Sequence, residues 1–238
     1  MANLIIDIGN IVLKAAWSDQ ITLGRIFRYQ GERMMDFILS LTAKNKAEIM
    51  VLSSVRTLTR HDIARLKEEC ERLVVIDSDI LQAHHLPIYL SPDRAASIIA
   101  SRYLFKGRGC TIFDFGTTLT VDFLDREGSF LGGNISVGCR SRFKAVNRYT
   151  RSLPLVDTPV EIEETGSSVA SSIATGVIKG IMFEIEGYIA SNPENITVFT
   201  GGDAIYFAKR MKNSIFVVCN LVLMGLALIA VEYDENKI

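Results

Sequence analysis

One short pattern occurs twice in this chain and restricts its possible folds more than any other feature. Each copy is an apolar run that enters Asp-x-Gly and leaves as a second apolar run, at Asp7–Gly9 and at Asp114–Gly116. The two copies are separated by roughly the length of one small domain. Glycine at the end of a strand lets backbone N–H groups approach a bound anion. The repeat therefore predicts two similar halves, each with a phosphate-binding turn beside a carboxylate.

The overall composition limits the partners and the compartment. The chain has 238 residues, a formal net charge of −1 and a pI near 6.3, so no basic excess points to nucleic acid or a membrane surface. Its four cysteines show no Cys-x-x-Cys spacing, and no basic stretch precedes the first apolar run. We expect reduced thiols and no signal peptide. The composition thus predicts a cytoplasmic protein without nucleic-acid or membrane partners.

An apolar stretch at residues 215–231 has two possible interpretations. It is slightly shorter than the roughly 20 residues that a membrane-spanning helix needs. The β-branched residues Ile215, Val217 and Val218 at its start favour a strand, and residues 221–231 favour a helix. We therefore expect a buried strand and helix rather than a membrane anchor.

Strands and helices alternate along the chain, which indicates an α/β fold. The turn at residues 106–110 predicts the boundary between an N-terminal domain, residues 1–108, and a C-terminal domain, residues 109–238. Local patterns predict a helix over residues 59–72, a polar connection over 77–92 and a helix over 93–105. They also predict a turn at Gly132-Gly133 and a long helix over residues 168–191.

A third glycine turn follows an apolar strand at residues 196–200, in the segment Thr200-Gly201-Gly202-Asp203. Together the three turns resemble the nucleotide-binding plan of the actin, hexokinase and Hsp70 superfamily, whose domains are ribonuclease H-like. The resemblance implies two similar α/β domains with mixed sheets flanked by helices, and ATP as the ligand. Three unrelated tight turns in an α/β protein are the alternative.

The order of the motifs narrows the resemblance to the type III pantothenate kinases. The matching segments are Asp7-Ile8-Gly9-Asn10, Ser53-Ser54-Val55, Asp93-Arg94, Asp114-Phe115-Gly116-Thr117, Gly132-Gly133-Asn134-Ile135-Ser136 with Gly138, Arg142-Phe143-Lys144-Ala145, Leu153-Pro154 and Thr200-Gly201-Gly202. They cover essentially the full chain. The resemblance implies ATP-dependent phosphorylation of pantothenate to 4'-phosphopantothenate, the first step of coenzyme A biosynthesis.

The resemblance also implies roles for individual residues in catalysis and substrate binding. Asp93 would be the general base that faces the pantothenate hydroxyl, and Arg94 would bind the substrate or the transferring phosphate. Thr175 on the long helix is assigned to the substrate. The alternative for Asp93 is a favourable acidic residue in the first turn of a helix.

Phosphate and ion ligands follow from the same resemblance. Asp7 would lie at the ATP site and hold Mg²⁺ through water, and Asp114 would hold the monovalent cation, K⁺ or NH₄⁺, that this family requires. The backbone of the three turns would bind the phosphates through Gly9, Asn10, Gly116, Thr117, Gly201 and Gly202. As an alternative, Asp7 and Asp114 could cap tight turns through Asx hydrogen bonds.

Four positions depart from the family's pattern. Ile11 and Val169 each stand where the family has threonine, Ser91 replaces the glycine of Gly-x-Asp-Arg, and Val137 stands where Pro-Gly is usual. Losing one hydrogen bond to a phosphate costs about 1.5–3 kcal/mol, so these changes indicate weakened activity. Two alternatives stay open: a binding relative with an accessory or regulatory role, and another phosphotransferase such as a sugar kinase.

The resemblance further implies a homodimer, because family members borrow residues from the partner subunit for the pantothenate pocket. We expect the interface on the exposed side of the long helix, near Ile181 to Ile189.

Overall fold

The computed structural model describes residues 2–235, which form two compact units. The first unit contains the chain up to Leu104 together with the C-terminal segment from Asn220, and the second contains Phe105–Cys219. The predicted domains, residues 1–108 and 109–238, divide the two halves of the chain near the same point. The structure differs from them at the C-terminus, where the last helix packs in the first unit.

Ten strands and eight helices are described. The strands are β1 (Asn3–Ile8), β2 (Leu13–Asp19), β3 (Thr22–Tyr29), β4 (Ala47–Ser54), β5 (Cys70–Val75), β6 (Cys110–Phe115), β7 (Thr118–Leu124), β8 (Phe130–Val137), β9 (Ile196–Gly201) and β10 (Ile215–Val217). The helices are α1 (Met34–Thr42), α2 (Arg60–Glu68), α3 (Ser78–Ala83), α4 (Pro92–Leu104), α5 (Cys139–Tyr149), α6 (Val169–Ser191), α7 (Ala204–Ala208) and α8 (Leu221–Glu235).

Each unit is built on a five-stranded mixed sheet. The first sheet has the order β3-β2-β1-β4-β5, with β1, β2 and β3 antiparallel and β1, β4 and β5 parallel. The second has the order β8-β7-β6-β9-β10 with the same pattern of strand directions. β6 therefore takes the place of β1, and the predicted duplication of a mixed sheet is confirmed.

Buried apolar side chains form a separate core in each unit. In the first unit every residue of β1 is buried, and Ile6 and Ile8 share a cluster with Ile38 of α1. In the second unit Phe113 and Phe199 pack edge to face in a cluster that includes residues of α5, α6 and α7. Burying one such side chain stabilises the folded state by about 1.5–3 kcal/mol.

The last helix belongs to the first unit because of its packing. α8 contacts α4, β4 and β1. The contact with α4 is close, since a Cβ atom at Gly225 would lie 2.9 Å from the Cα of Ala96 and nearer still to its carbonyl oxygen. The distance between packed helices is set by the side chains at their contact, and glycine on α8 with alanine on α4 makes it short.

Two local predictions differ from the structure in the first unit. The helix predicted over residues 59–72 ends at Glu68, because Cys70 pairs with Ala47 and begins β5. The connection at residues 77–92 contains α3, which was not predicted. Its first N–H groups are capped by the side chain of Asp77.

The glycine pair Gly132-Gly133 does not form the predicted turn. Both residues lie inside β8, opposite Phe123 and Asp122 of β7, and the register shifts between Phe123 and Leu124. Glycine inside a strand commonly marks such an irregularity, so the turn prediction was wrong for a recognisable reason.

Residues 215–231 contain β10 and most of α8, so the predicted strand and helix are both present. The strand is not buried as predicted, because β10 lies at the edge of its sheet and Phe216 and Val217 are exposed. Within residues 2–235, no helix combines the length and the apolar character needed to cross a membrane. The four cysteines are free thiols, as expected.

Candidate active site

The first glycine turn connects β1 to β2 in the first unit. Ile8 and Leu13 are its last paired residues, and between them the N–H of Gly9 donates to the carbonyl of Val12 at 3.1 Å. A Cβ atom at Gly9 would lie 2.9 Å from that same oxygen, so a side chain does not fit without a shift. Asn10 is exposed at the tip of the turn. The turn therefore depends on glycine at position 9 and has Asn10 at its accessible tip.

Asp7 lies one residue before the end of β1, in the centre of the first sheet. Its neighbours across the strands are Lys14 of β2 and Ser53 of β4. The side chain is buried. This end of β1 is also the carboxyl end of the parallel strands, where open α/β sheets bind their ligands.

Arg56 contacts the same turn, and the sequence analysis did not single it out. Its Nε donates to the carbonyl of Gly9 at 3.1 Å, and its Nη2 donates to the carbonyl of Asn10. The positively charged guanidinium of Arg56 therefore lies beside the backbone of the first turn. The sequence around Arg56 does not indicate this contact, because Arg56 and Gly9 are 47 positions apart in the chain.

The second turn connects β6 to β7 in the second unit. The N–H of Gly116 donates to the carbonyl of Thr118 at 2.9 Å. The carbonyl of Thr117 accepts from the N–H of Gly138 at 3.1 Å and from the hydroxyl of Ser141 at 2.8 Å. A Cβ atom at Gly138 would lie 2.8 Å from the Thr117 oxygen and would also collide with the Gly116 carbonyl. The start of α5 thus holds the second turn in place.

The third turn, at the end of β9, lies directly against Asp114. β6 and β9 pair in parallel with Asp114 opposite Thr200. Gly201 has φ +91°, and the N–H of Gly202 donates to the carbonyl of Phe115 at 2.8 Å. Asp114 and the glycine pair, which the sequence analysis assigned to different ligands, therefore lie side by side in the second unit.

Asp203 follows this glycine pair and precedes α7. Burial raises the pKa of its carboxyl group above the ordinary value. A carboxyl with such a shift beside a turn is a candidate functional residue that the sequence analysis did not name.

Asp93 and Arg94 lie in the first turn of α4, where Pro92 begins the helix. The Oδ1 of Asp93 accepts from the N–H of Arg94 at 2.9 Å, and the Asp93 side chain is half-buried. The Arg94 side chain is only 7% exposed. The pair is thus held at the start of the helix, with the carboxylate the more accessible of the two.

Thr175 lies on the core side of α6. It is buried, and its hydroxyl oxygen has no hydrogen-bond partner among the described residues. Its assignment to the substrate stays a prediction.

The departures from the family's pattern lie mostly at exposed positions. The side chains of Ile11, Val137 and Val169 are all exposed. Ser91 differs, because it directly precedes α4 and its carbonyl accepts the N–H of Ala95 at 3.0 Å, a bond of the first helical turn. Three of the four changes therefore remove a polar group or a backbone constraint from surface positions rather than from a core.

Metal ligands are sparse at both turns. Among the described residues, no three His, Cys, Asp or Glu side chains lie close enough to hold an ion together. An ion beside Asp7 or Asp114 would therefore have at most two such side chains and would depend on water and ligand oxygens. Magnesium at phosphate sites commonly has such a shell, so Asp7 fits that ion.

Arg142 stabilises the segment that reaches the second turn. Its Nε donates to the carbonyl of Val137 at 2.8 Å, and its Nη2 contacts Glu184 of α6 and the hydroxyl of Ser136. The end of β8, the start of α5 and the middle of α6 are joined through this one guanidinium.

A separate groove of about 370 Å³ lies along α5. Its lining residues are Arg140, Phe143, Lys144, Leu155, Val156, Asp157 and Thr158. The lining mixes apolar, basic and acidic side chains, and no predicted site residue is among them.

The duplicated mixed sheets define a protein with the actin/hexokinase type of fold, and a solved structure agrees with this fold. A ROK hexokinase from Thermus thermophilus superposes with a TM-score of 0.56 at 13% identity, covering 98% of this chain and 100% of that chain. The predicted fold class is therefore confirmed.

Sequence comparison then specifies the family. The family model described as type III pantothenate kinase matches residues 3–191. A type III pantothenate kinase of Phocaeicola vulgatus is 37% identical over 232 residues, covering 94% of this chain and 96% of its own length. One of Bacteroides fragilis is 33% identical over 244 residues, covering 99% and 100%. The chain belongs to the type III pantothenate kinase family.

Proposed function

We propose that the protein transfers the terminal phosphoryl group of ATP to the primary hydroxyl of pantothenate, giving 4'-phosphopantothenate for coenzyme A synthesis. The observation that carries the proposal is membership of the type III pantothenate kinase family, whose model matches most of the chain. Phosphoryl transfer asks a protein mainly to position the reactants and to neutralise spreading charge. Three glycine turns with adjacent carboxylates suit that task.

Asp93 is the proposed general base. Its carboxylate is half-buried, and one of its oxygens already accepts the N–H of Arg94, so the group is oriented before a substrate arrives. The other oxygen is free of that bond and is proposed to accept the proton of the pantothenate hydroxyl. Arg94 is proposed to bind substrate or the transferring phosphate, and Thr175 to contact the substrate.

The phosphates are proposed to lie on the glycine turns, with Asp7 holding Mg²⁺ through water. Mg²⁺ neutralises phosphate charge when it is bound. Asp114 is proposed to hold K⁺ or NH₄⁺, since its carboxylate lies against the backbone of Gly201. A monovalent cation there would add positive charge to the second turn.

The assembly is proposed to be a cytoplasmic homodimer in which α6 carries the interface. Within the second unit Ile181 and Ile185 face the core, so they leave the exposed side of α6 to other residues. Phe183, which is 66% exposed, is the large apolar residue on that side. Phe183 lies within the stretch predicted for the interface, Ile181 to Ile189, and is the proposed centre of the contact.

A binding relative with an accessory role is the second candidate. The exposed Ile11 favours it, because an apolar side chain stands at the tip of the first turn where the family has a hydroxyl. The retained aspartates Asp7, Asp93 and Asp114 favour the kinase.

The deciding experiment measures ATP-dependent phosphorylation of pantothenate, with and without K⁺, for wild type, Ile11→Thr and Asp93→Asn. Asparagine keeps an oxygen that accepts the N–H of Arg94, so Asp93→Asn tests the base without removing this bond. Turnover that needs K⁺ and is lost in Asp93→Asn supports the kinase, and a gain in Ile11→Thr measures the effect of the departure. Ligand binding without turnover in any variant would favour the accessory role.

A further inference from the structure

The backbone of Arg56 is held in a defined position by the side chain of Ser54. The hydroxyl of Ser54 accepts the N–H of Arg56 at 3.1 Å and donates to its carbonyl at 2.8 Å. The N–H of Val55 donates to the carbonyl of Ile8 at 3.1 Å. The segment after β4 is therefore fastened both to itself and to the end of β1, and the Arg56 side chain starts from a fixed point.

The guanidinium group joins this segment to the first turn. It donates to two successive carbonyls, those of Gly9 and Asn10. Guanidinium has five N–H groups in a rigid planar fork, so donors remain after these two bonds. Within residues 2–235, no ion pair joins Arg56 to a carboxylate.

These contacts change what the turn offers to an anion. Carbonyl oxygens at a phosphate turn repel phosphate, and a cation that binds them cancels this effect. A guanidinium with spare donors also attracts phosphate directly. The exposed Ile11, in the same turn, supplies no donor.

We propose that Arg56 is a positioning residue for the triphosphate of ATP. It keeps the Gly9–Asn10 turn in its binding shape through the two carbonyls, and it supplies charge at the place where Ile11 offers no hydroxyl. The inference rests on the ATP site of the proposed function and adds a residue to it.

The test compares ATP binding by wild type, Arg56→Gln, Arg56→Lys and the control Arg60→Gln. Arg60 is exposed at the first position of α2 and loses the same charge on substitution. The dissociation constant of Mg·ATP is measured by calorimetry without pantothenate, at low and at high ionic strength, and thermal unfolding is recorded for each protein. KM and kcat are then measured with pantothenate.

Arg56→Gln is expected to weaken ATP binding by about 10- to 100-fold, since it removes charge-assisted hydrogen bonds. It should also reduce the dependence of ATP affinity on ionic strength, which a purely structural residue would not do. Arg56→Lys should fall between Arg56→Gln and wild type, because lysine keeps the charge but lacks the fork. Arg60→Gln should stay within about twofold of wild type.

A folded Arg56→Gln that binds ATP as well as Arg60→Gln would overturn the inference and leave the pantothenate kinase proposal intact. If Arg56→Gln does not fold, Arg56→Lys decides, and wild-type affinity in that variant would overturn the inference. Arg56-dependent ATP binding without phosphorylation of pantothenate would keep the inference and remove the proposed function. A wild type that binds no ATP would remove both.

Discussion

The backbone of Gly201 lies so close to Asp114 that a Cβ atom at Gly201 would collide with the carboxylate. The same atom would lie 2.6 Å from the backbone nitrogen of Phe115. Gly201 also has φ +91°, a conformation that residues with a side chain rarely adopt. The position of the Asp114 carboxylate and the shape of the third turn therefore depend on each other.

Gly201→Ala is expected to lower the free energy of unfolding by about 2–4 kcal/mol, because it adds backbone strain and a collision together. ATP affinity should fall with it. Urea unfolding of the purified variant measures the first effect. Gly176→Ala is the control, since a Cβ atom there meets nothing within 4 Å and the residue lies inside α6. That change should leave stability equal or raise it by up to about 1 kcal/mol; equal losses in the two variants would contradict the argument.

Gly225→Ala tests the packing of the last helix. The added methyl group would enter the carbonyl of Ala96, which is backbone and cannot rotate away. We expect a loss of about 1–3 kcal/mol in the free energy of unfolding, measured by urea. Gly176→Ala, at an exposed and open position of α6, is again the helical control and should not lose stability. If Gly225→Ala has the same free energy of unfolding as wild type, α8 and α4 can move apart at little energetic cost.

The ion pair between Arg142 and Glu184 is expected to contribute more than a surface pair. The two side chains are only 23% and 20% exposed, and Arg142 also donates to the Val137 carbonyl. Glu184→Gln should lower the free energy of unfolding by about 1–3 kcal/mol, because a charge is left without its partner. Urea unfolding is again the measurement.

The exposed pair of Arg126 and Glu194, at 68% and 82% exposure, is the comparison for that experiment. Glu194→Gln should change the free energy of unfolding by less than about 0.5 kcal/mol. Similar changes in the free energy of unfolding for Glu184→Gln and Glu194→Gln would show that burial does not strengthen the Arg142–Glu184 pair.

We expect the free energy of unfolding to depend on pH through the titration of Asp203. Burial raises the pKa of its carboxyl group in the folded state, so folding favours the protonated form. Its contribution to stability is therefore full below the unfolded pKa, near about 3.9, and is lost as the pH rises through the higher folded pKa. Asp203→Asn should be more stable than wild type at pH 7, with the difference shrinking towards pH 4. A gain that is the same at both pH values would point to another cause.

The duplicated elements of the fold were predictable because their signals are local. Asp7 and Asp114 each stand near the end of an apolar strand before a glycine, and both lie in the central strand of a five-stranded sheet. The glycine pair at Gly201 also lies where the pattern placed it. In each case a short segment carries both the strand and the turn, so neighbouring residues are enough to predict the structure.

Other parts of the site and the fold depend on contacts between distant segments. Arg56 contacts Gly9 although the two are far apart in sequence, and nothing beside Arg56 in the chain indicates that contact. The assignment of α8 to the first unit depends on Gly225 meeting Ala96. A pattern of apolar residues predicts that α8 is buried, but it does not say which sheet or helix covers it.

The packing of α8 also has a consequence for how the protein is made. A ribosome releases β1, β4 and α4 early, and it must synthesise all of Phe105–Cys219 before α8 can emerge. During that interval the apolar surface that α8 will cover is exposed to water and to other nascent chains. The second unit, which is continuous in sequence, can complete its own fold first. We therefore expect the first unit, which contains the N-terminal half of the chain, to finish folding after the second.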